Sequence, residues 1–308
     1  MGTGSVMTNP LHAYDRPGKG RYYTRCGRDG CPIGDSHLIS VTNALDMIAK
    51  PNLIPAAAKE TARAAWQALP LMVATSRQEP EGPCSRLRVA ERCGNCRFCI
   101  TSAIKREHKA AWEAKAELGT RIHAHAHAHV TGRPIPPDPE VAPFIAQYLQ
   151  FLTDWQVDPA RHVEASETTV LSRRHEYAGT GDVWLHLPGF GARGRRGLVL
   201  VDIKTSLTKP ATAIYPEQEL QLAGLRYAES AVLVDDTEVK VPRFAAAAIL
   251  NLRQTSHALI PLPADKAAHA AFLGTVVAQR HFHERDTKAW VRIDAPAATP
   301  TTSPRKAS

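Results

Sequence analysis

Long apolar stretches are missing from this sequence. No run of about 18 apolar residues occurs, so no transmembrane helix is expected. The first ten residues lack a basic segment followed by an apolar one, which argues against a secretory signal and favours a cytoplasmic location without a membrane partner. With 308 residues, the chain can bury a substantial core and form one large or two modest domains without a disulfide scaffold.

Acidic residues are too few to balance the basic ones. The chain has 38 Lys and Arg against 30 Asp and Glu, which gives a formal net charge of +8. This balance favours a polyanionic partner, most simply nucleic acid, although charge alone fits a basic protein without such a role equally well. A basic, glycine-rich turn over residues 189–197 contains Arg195 and Arg196 as candidate DNA contacts.

Cysteine is absent from the last two thirds of the chain, and all six cysteines lie in the first third. Four of them are closely spaced, namely Cys84, Cys93, Cys96 and Cys99, and clustering of this kind in a reducing compartment indicates a metal site. Four thiolates suit tetrahedral Zn²⁺, with a [4Fe–4S] cluster as the rival interpretation. Cys26 and Cys31 could complete a second site or replace Cys84, and six free thiols are the alternative to any metal.

Apolar periodicity divides the chain into four parts. Residues 1–20 are expected to be a disordered arm, 21–110 a helical cysteine-rich metal-binding region, 111–293 an α/β core, and 294–308 a disordered tail. Helices are predicted over residues 56–69, 100–129, 140–155, 214–228 and 264–283, with a turn and a further helix within 36–49. Strands are predicted over 162–171, 179–187, 198–203, 244–252 and 257–262. This order indicates a mixed central sheet flanked by helices.

An aspartate interrupts the most apolar of the predicted strands. Asp202 lies within residues 198–203, where every other side chain is apolar, and burying a carboxylate there is unfavourable unless it is paired or binds a cation. Lys204 faces the same side of the strand, because strand side chains alternate. Read alone, the two residues fit a structural ion pair at the end of a strand.

A second aspartate changes this interpretation. Asp182 lies at the start of the strand over 179–187, and the basic turn joins that strand to the one bearing Asp202, so a hairpin can bring both carboxylates together. Neighbouring carboxylates repel unless a divalent cation lies between them, and oxygen ligands suit Mg²⁺ or Mn²⁺. Such a site, with Lys204 beside it, can activate water and stabilise charge on a phosphate.

Four short motifs follow one another as in a known superfamily. They are Gly119-Thr120-Arg121-Ile122-His123, Gly179-Thr180-Gly181-Asp182, Asp202-Ile203-Lys204-Thr205-Ser206 and the segment QLAGLRYAE over residues 221–229. Their order and spacing resemble the PD-(D/E)XK nucleases, in particular the RecB-like branch with its CRISPR-associated and phage-encoded exonucleases. The resemblance covers residues 117–255 and implies a restriction-endonuclease-like core.

The resemblance also implies a role for each motif residue. The implied metal ligands are His123, Asp182, Asp202 and the carbonyl of Ile203, and the implied catalytic lysine is Lys204. Three further residues are implied near the site, namely Gln221 projecting from the following helix, Glu167 on the strand before Asp182, and Tyr227 against DNA or the site wall. In that branch some members carry iron–sulfur clusters with three ligands after the core, whereas here every cysteine precedes it, which favours zinc.

Two positions depart from the pattern of the branch. Leu225 stands where a tyrosine often follows the motif glutamine, and His127 stands where a glutamate often follows the motif histidine. His127 belongs to a tract in which His123, His125, His127 and His129 alternate with alanine. The simplest interpretation gives a function to His123 alone, with His127 as an auxiliary ligand in the alternative.

The sequence therefore predicts a Mg²⁺- or Mn²⁺-dependent deoxyribonuclease, an exonuclease used in DNA recombination or processing by a bacterium or phage. A recombination protein or helicase would be a typical partner. The alternatives are a non-catalytic DNA-binding module that kept the fold, and a restriction-type endonuclease.

Overall fold

The computed structural model describes residues 12–16, 20–24, 37–76, 84, 93–233, 235–285 and 290–293. The expectations for Cys26, Cys31 and the tail over residues 294–308 lie outside the described residues, as does the expected disordered arm up to residue 11.

A mixed sheet forms the centre of the fold, as the sequence predicts. In the described part of the chain it has ten strands, namely β1 (Ala13–Arg16), β2 (Gly20–Tyr23), β3 (Leu38–Ser40), β4 (Val163–Ser172), β5 (Tyr177–Leu187), β6 (Gly197–Thr205), β7 (Ser230–Val232), β8 (Glu238–Lys240), β9 (Ala246–Leu252) and β10 (His257–Leu262). The pairs β3–β5 and β6–β9 are parallel, and the other pairs are antiparallel.

Helices cover the two faces of this sheet. They are α1 (Val41–Leu45), α2 (Leu53–Gln67), α3 (Leu69–Thr75), α4 (Arg97–Thr131), α5 (Ala142–Asp154), α6 (Pro159–His162), α7 (Pro216–Arg226) and α8 (Lys266–Glu284). Helices α1, α7 and α8 share one hydrophobic core with the sheet, and the end of α4 shares another with α5. The five helices predicted over residues 56–69, 100–129, 140–155, 214–228 and 264–283 are confirmed within a few residues at each end.

Strand β6 shows why a nearly continuous apolar run is needed at the centre. Val199 and Val201 pack in the core beneath α4 and α5, whereas Leu200 packs in the core beneath α7 and α8. Alternate side chains therefore enter opposite cores, and a strand that is covered on both faces requires apolar residues at consecutive positions.

The sheet forks at the middle of β5. One edge of β5 pairs along its length with β4, while the other pairs with β3 at Tyr177 and Ala178 and with β6 from Val183 onward. Among the described residues, positions 179–182 have no strand partner on this second edge, because β6 continues along β9 instead. The fork leaves a gap in the sheet at Asp182.

The N-terminal segment belongs to the sheet, which corrects the predicted organisation. Strand β1 lies within the expected disordered arm over 1–20, and β2 and β3 lie in the region expected to be helical. Tyr22 and Ile39 are fully buried in the core that also contains α7 and α8. Strands of three or four residues carry too little periodicity to be recognised, because their burial depends on partners distant in sequence. The same applies to β7 and β8, which were not predicted.

Helix α4 connects the cysteines to the sheet. Its 35 residues begin immediately after Cys96, and α2 and α3 pack along it before its last turns enter the core through Ile122 and Ala126. A helix of this length extends about 50 Å. None of the helices in the described ranges has the length and apolar character required to span a membrane.

Substitution of alanine for either of two helix glycines should change the stability of the protein in opposite directions. A Cβ at Gly224 of α7 would lie 2.9 Å from the ring of Phe272, which is fully buried and cannot move aside, whereas a Cβ at Gly274 of α8 would meet nothing within 4 Å. We expect Gly224→Ala to lower the free energy of unfolding by about 1–2 kcal/mol through overpacking, and Gly274→Ala to raise it by up to about 1 kcal/mol. Denaturant titration measures both, and equal stabilities of the two variants would contradict this packing.

Candidate metal centre

Three side chains from three elements meet at the fork. His123 of α4, Glu167 of β4 and Asp182 of β5 each offer a ligand atom, and these atoms all lie within 4.8 Å of one another. His123 Nδ1 is 3.4 Å from an oxygen of Asp182 and 4.0 Å from an oxygen of Glu167. The group could hold a metal ion, and all three residues are among those singled out in the sequence.

Asp182 is fixed by the strand that diverges from it. Its Oδ2 accepts a hydrogen bond from the backbone N–H of Ile203, with a donor–acceptor distance of 2.6 Å. The last recorded pair of the β5–β6 ladder is Val183 with Val201, so a continued register places Asp182 opposite Asp202. At the point where backbone pairing stops, the carboxylate of Asp182 satisfies the N–H that the ladder leaves open.

Asp202 is held by two side chains. Its Oδ1 accepts a hydrogen bond from Gln221 Nε2 at 2.8 Å, and its Oδ2 lies 2.6 Å from Lys204 Nζ. The ion pair with Lys204 is therefore the recorded polar contact of Oδ2, which is buried. Asp202 is 2% exposed, and it stands beside the three-residue group rather than within it.

The fork allows helices on opposite faces of the sheet to reach the same place. Ile122 of α4 packs in the core shared with α5, whereas Leu222 of α7 packs in the core shared with α8. Their neighbours His123 and Gln221 nevertheless contact Asp182 and Asp202, which directly adjoin the last pair of the β5–β6 ladder, Val183 with Val201. A continuous β-ladder would separate the two helices, so the gap in the sheet is what assembles the site.

Glycine brings α4 close to the end of β6. Gly119 lies one turn before His123, and a Cβ at this position would lie 3.3 Å from Thr205 Oγ1. This close approach gives a packing reason for the glycine of the Gly-Thr-x-x-His motif.

Burial and mutual charge set the pKa values of the carboxylates. Burial raises the pKa of Glu167 to about 8, with a further increase from the charge of Asp182. Burial also raises the pKa of Asp202 to about 6, although the ammonium of Lys204 opposes the increase. Burial alone would raise the pKa of Asp182, but the charges of His123 and Lys204 and the hydrogen bond from the Ile203 N–H together lower it.

The two cationic groups respond to the same carboxylates. Burial alone would lower the pKa of His123, but the charges of Asp182 and Glu167 outweigh it and raise the value to about 9. Burial opposes the ammonium of Lys204 in the same way, and Asp202 raises its pKa nevertheless. The carboxylates of the centre therefore stabilise positive charge on the two cationic side chains beside them.

The donor set fits a hard divalent cation. Carboxylate oxygens with one imidazole nitrogen suit Mn²⁺ and Mg²⁺ better than a soft metal. Asp202, whose Oδ2 is paired with Lys204, offers a further carboxylate beside the group.

Two further residues line the cavity of the centre, namely His127, which the sequence offered as an auxiliary ligand, and Ser166, which it did not indicate. Ser166 Oγ lies 2.9 Å from Nδ1 of His127, and both line the cavity together with His123, Glu167 and the buried Tyr148. The helical spacing of His123 and His127 indicated that they share a face, whereas nothing in the sequence distinguished Ser166 from other strand serines.

Three of the singled-out residues are not brought to the centre. Among the described residues, the ring neighbours of Tyr227 are His269 of α8 at 5.2 Å and the guanidinium of Arg226 at 5.7 Å. Arg195 and Arg196 lie in the turn between β5 and β6, and the guanidinium of Arg196 donates to two backbone carbonyls. Arg196 therefore fastens the hairpin turn, some six residues from Asp202, which corresponds to about 20 Å along a strand.

The cysteines form a separate group at the other end of α4. The sulfur atoms of Cys84, Cys93, Cys96 and Cys99 all lie within 4.8 Å of one another, and the four residues could hold a metal ion. These four cysteines form no disulfide bond. The structure thus brings together all four of the predicted ligands.

Comparison with known proteins identifies no family. No protein-family profile matches the chain, and no curated protein matches it. A solved structure described as "Crystal structure of SSO0001" is similar over 58% of this chain and 70% of that one, with 10% sequence identity and a TM-score of 0.26. At this score the similarity carries no argument about fold or function.

The raised pKa of Glu167 predicts how pH affects the metal-free protein. Its pKa is about 8 against an ordinary value of 4.5, so between these values the unfolded chain releases the proton while the folded chain retains it, and folded stability falls as the pH rises. In the presence of a chelator, the free energy of unfolding of the wild type should fall between pH 4.5 and about 8, and Glu167→Gln should lack this decrease. The stability of the variant relative to the wild type should therefore rise by on the order of 1 kcal/mol per pH unit.

Chemical denaturation across this pH range measures the difference. Glu164→Gln is the matched control, because Glu164 lies on the same strand with a side chain that is 55% exposed. If the free energies of unfolding of Glu167→Gln and the wild type changed equally with pH, the raised pKa of Glu167 would be contradicted.

Proposed function

We propose that this chain is a Mg²⁺- or Mn²⁺-dependent deoxyribonuclease with a PD-(D/E)XK core of the RecB-like kind, and that it acts as an exonuclease. One observation carries the proposal. Asp182 and the Asp202-Ile203-Lys204 tripeptide lie on the two strands of one hairpin, next to a gap in the sheet. His123 and Gln221 contact the two aspartates there from opposite faces of the sheet. The motif order in the sequence and this convergence support the same interpretation.

The metal would be held by His123, Glu167 and Asp182, with Asp202 at the edge of the group. When bound, Mg²⁺ or Mn²⁺ lowers the pKa of coordinated water and stabilises negative charge on a phosphate. Glu167 has the higher pKa of the carboxylates in this group, and a divalent cation favours its ionised form.

Lys204 is the residue that would meet the substrate. Its side chain is 31% exposed, whereas its partner Asp202 is almost completely buried. Lys204 is therefore held by a buried carboxylate while part of its side chain stays accessible, as contact with a phosphodiester would require. In this position it orients the attacking water or neutralises charge that develops on the phosphate oxygens.

Gln221 and Ile203 would act on the geometry of the carboxylates. Gln221 donates to one oxygen of Asp202, which leaves the other oxygen directed to Lys204. The backbone N–H of Ile203 holds one oxygen of Asp182, while the other faces His123. Each carboxylate thus has one oxygen used for orientation and one directed into the centre, which is the preorganisation that charge stabilisation requires.

The substrate class follows from charge. A net charge of +8 favours a polyanion, and the carboxylates of the centre accept a phosphate only together with a cation. A non-catalytic DNA-binding module would have no use for one buried and two partly buried carboxylates, because binding to phosphates alone relies on Lys and Arg. An enzyme that processes DNA ends would operate beside a recombination protein or helicase.

Loss of activity on substitution tests the proposal. We expect Asp182→Asn, Asp202→Asn and Lys204→Met each to lower Mn²⁺-dependent hydrolysis of linear DNA by at least about 100-fold, because each removes charge stabilisation at the reacting phosphate. Release of acid-soluble nucleotides measures the rate, and the melting temperature of each variant establishes that it is folded.

Matched controls lie outside the centre. Lys209→Met and Asp235→Asn alter exposed residues and should retain wild-type rates. Degradation of linear but not of closed circular DNA is the result expected of an exonuclease, whereas cleavage of circles would favour the restriction-type alternative. Equal rates for the wild type and the three variants, or DNA binding without any metal-dependent hydrolysis, would contradict the enzymatic proposal.

A further inference from the structure

The four cysteine sulfurs are spaced like the ligands of one small ion. Cys93 Sγ lies 3.8 Å from Cys84 Sγ and 3.9 Å from Cys99 Sγ. A disulfide would require about 2.05 Å, so these contacts are not bonds between sulfurs. A tetrahedral ion with Zn–S bonds of about 2.3 Å would place its sulfurs about 3.8 Å apart, which agrees with both distances.

An iron–sulfur cluster demands a wider arrangement. In a [4Fe–4S] cluster each thiolate binds a different iron, so the four sulfurs stand at the outer corners of the cluster and cannot all surround a single point. Here every pair of the four sulfurs lies within 4.8 Å. We therefore propose that Cys84, Cys93, Cys96 and Cys99 bind a single zinc ion in a closed tetrahedral site.

The local backbone supports bound thiolates. The N–H of Cys96 points to Cys93 Sγ at 3.3 Å, and the N–H of Cys99 points to Cys96 Sγ at 3.4 Å. Gly94 between these cysteines has φ +73°, a conformation that glycine adopts at little cost. The turn at Gly94 folds the first Cys-x-x-Cys step back on itself and aims backbone N–H groups at sulfur, so that negative charge on the thiolates is stabilised.

The first turn of α4 contributes in the same way. Cys96 is the N-cap of this 35-residue helix, and Cys99 lies in its first turn. The partial positive charge at a helix N-terminus favours thiolate over thiol. Two of the four ligands are thus fixed by a regular helix, and Cys84 is brought to them from an earlier part of the chain.

The site is structural rather than catalytic. Four protein ligands fill a tetrahedral ion and leave no position for water or substrate. Cys84 and Cys99 are buried, and Cys99 precedes His123 by 24 helical residues, or about 36 Å along α4. The zinc ion would fasten the chain at Cys84 to the start of α4, independently of the metal held by the carboxylates.

Metal content measured under conditions that preserve both candidates tests this proposal. The full chain would be produced in medium containing zinc and iron and purified anaerobically without chelator. We expect about one zinc per chain, no iron by mass spectrometry, and no brown colour. Replacement of the zinc by Co²⁺ should give the intense visible absorption of tetrahedral cobalt thiolate, a readout that requires no variant.

Variants assign the ligands. Cys93→Ser and Cys99→Ser should each lose nearly all of the zinc, whereas Cys26→Ser and Asp182→Asn should retain it, because four thiolates already complete a tetrahedral site. Iron in place of zinc, a cobalt spectrum without tetrahedral thiolate bands, or loss of zinc in Cys26→Ser as complete as in Cys93→Ser would each overturn the proposal. None of these measurements depends on nuclease activity.

Discussion

Repulsion between two carboxylates on diverging strands is the constraint on which the rest of the molecule depends. Asp182 and Asp202 each lie one residue beyond Val183 and Val201, the pair at which the β5–β6 ladder stops, and two such charges repel strongly inside a protein. Lys204 and His123 supply positive charge, and Gln221 and the Ile203 N–H supply hydrogen bonds. Helices on both faces of the sheet are required to bring these groups together.

The same constraint makes the centre unfavourable for stability in the absence of a cation. Burial and mutual repulsion raise the pKa values of Glu167 to about 8 and of Asp202 to about 6, so Glu167 resists ionisation in the folded chain at neutral pH. A divalent cation reverses this effect by favouring the charged forms. Local strain is also retained, since Glu167 has φ +52° in the middle of a strand. Costs of this kind are typical of functional sites.

Much of this arrangement was predictable from local patterns, and the rest depended on tertiary contacts. The apolar run around Asp202 indicated a strand covered on both faces, and alternation placed Lys204 beside the carboxylate, as the structure confirms. The fork was not predictable, because it results from β3 and β6 sharing one edge of β5. Arg196 shows what composition does not reveal: basic character indicated a DNA contact, and the structure adds that its guanidinium donates to the backbone carbonyls of His186 and Gln156.

Helix α4 has a further consequence for how this chain can change. A single helix carries Cys99 near its start and His123 near its end, and each added residue turns a helix by about 100°. Since Ile122 and Ala126 fix the last turns in the core, an insertion or deletion in the exposed middle would swing the cysteine-bearing end around the helix axis. The number of residues between the two sites therefore determines the direction in which the cysteine-bearing end points. An insertion or deletion of seven residues, close to two turns, would preserve that direction.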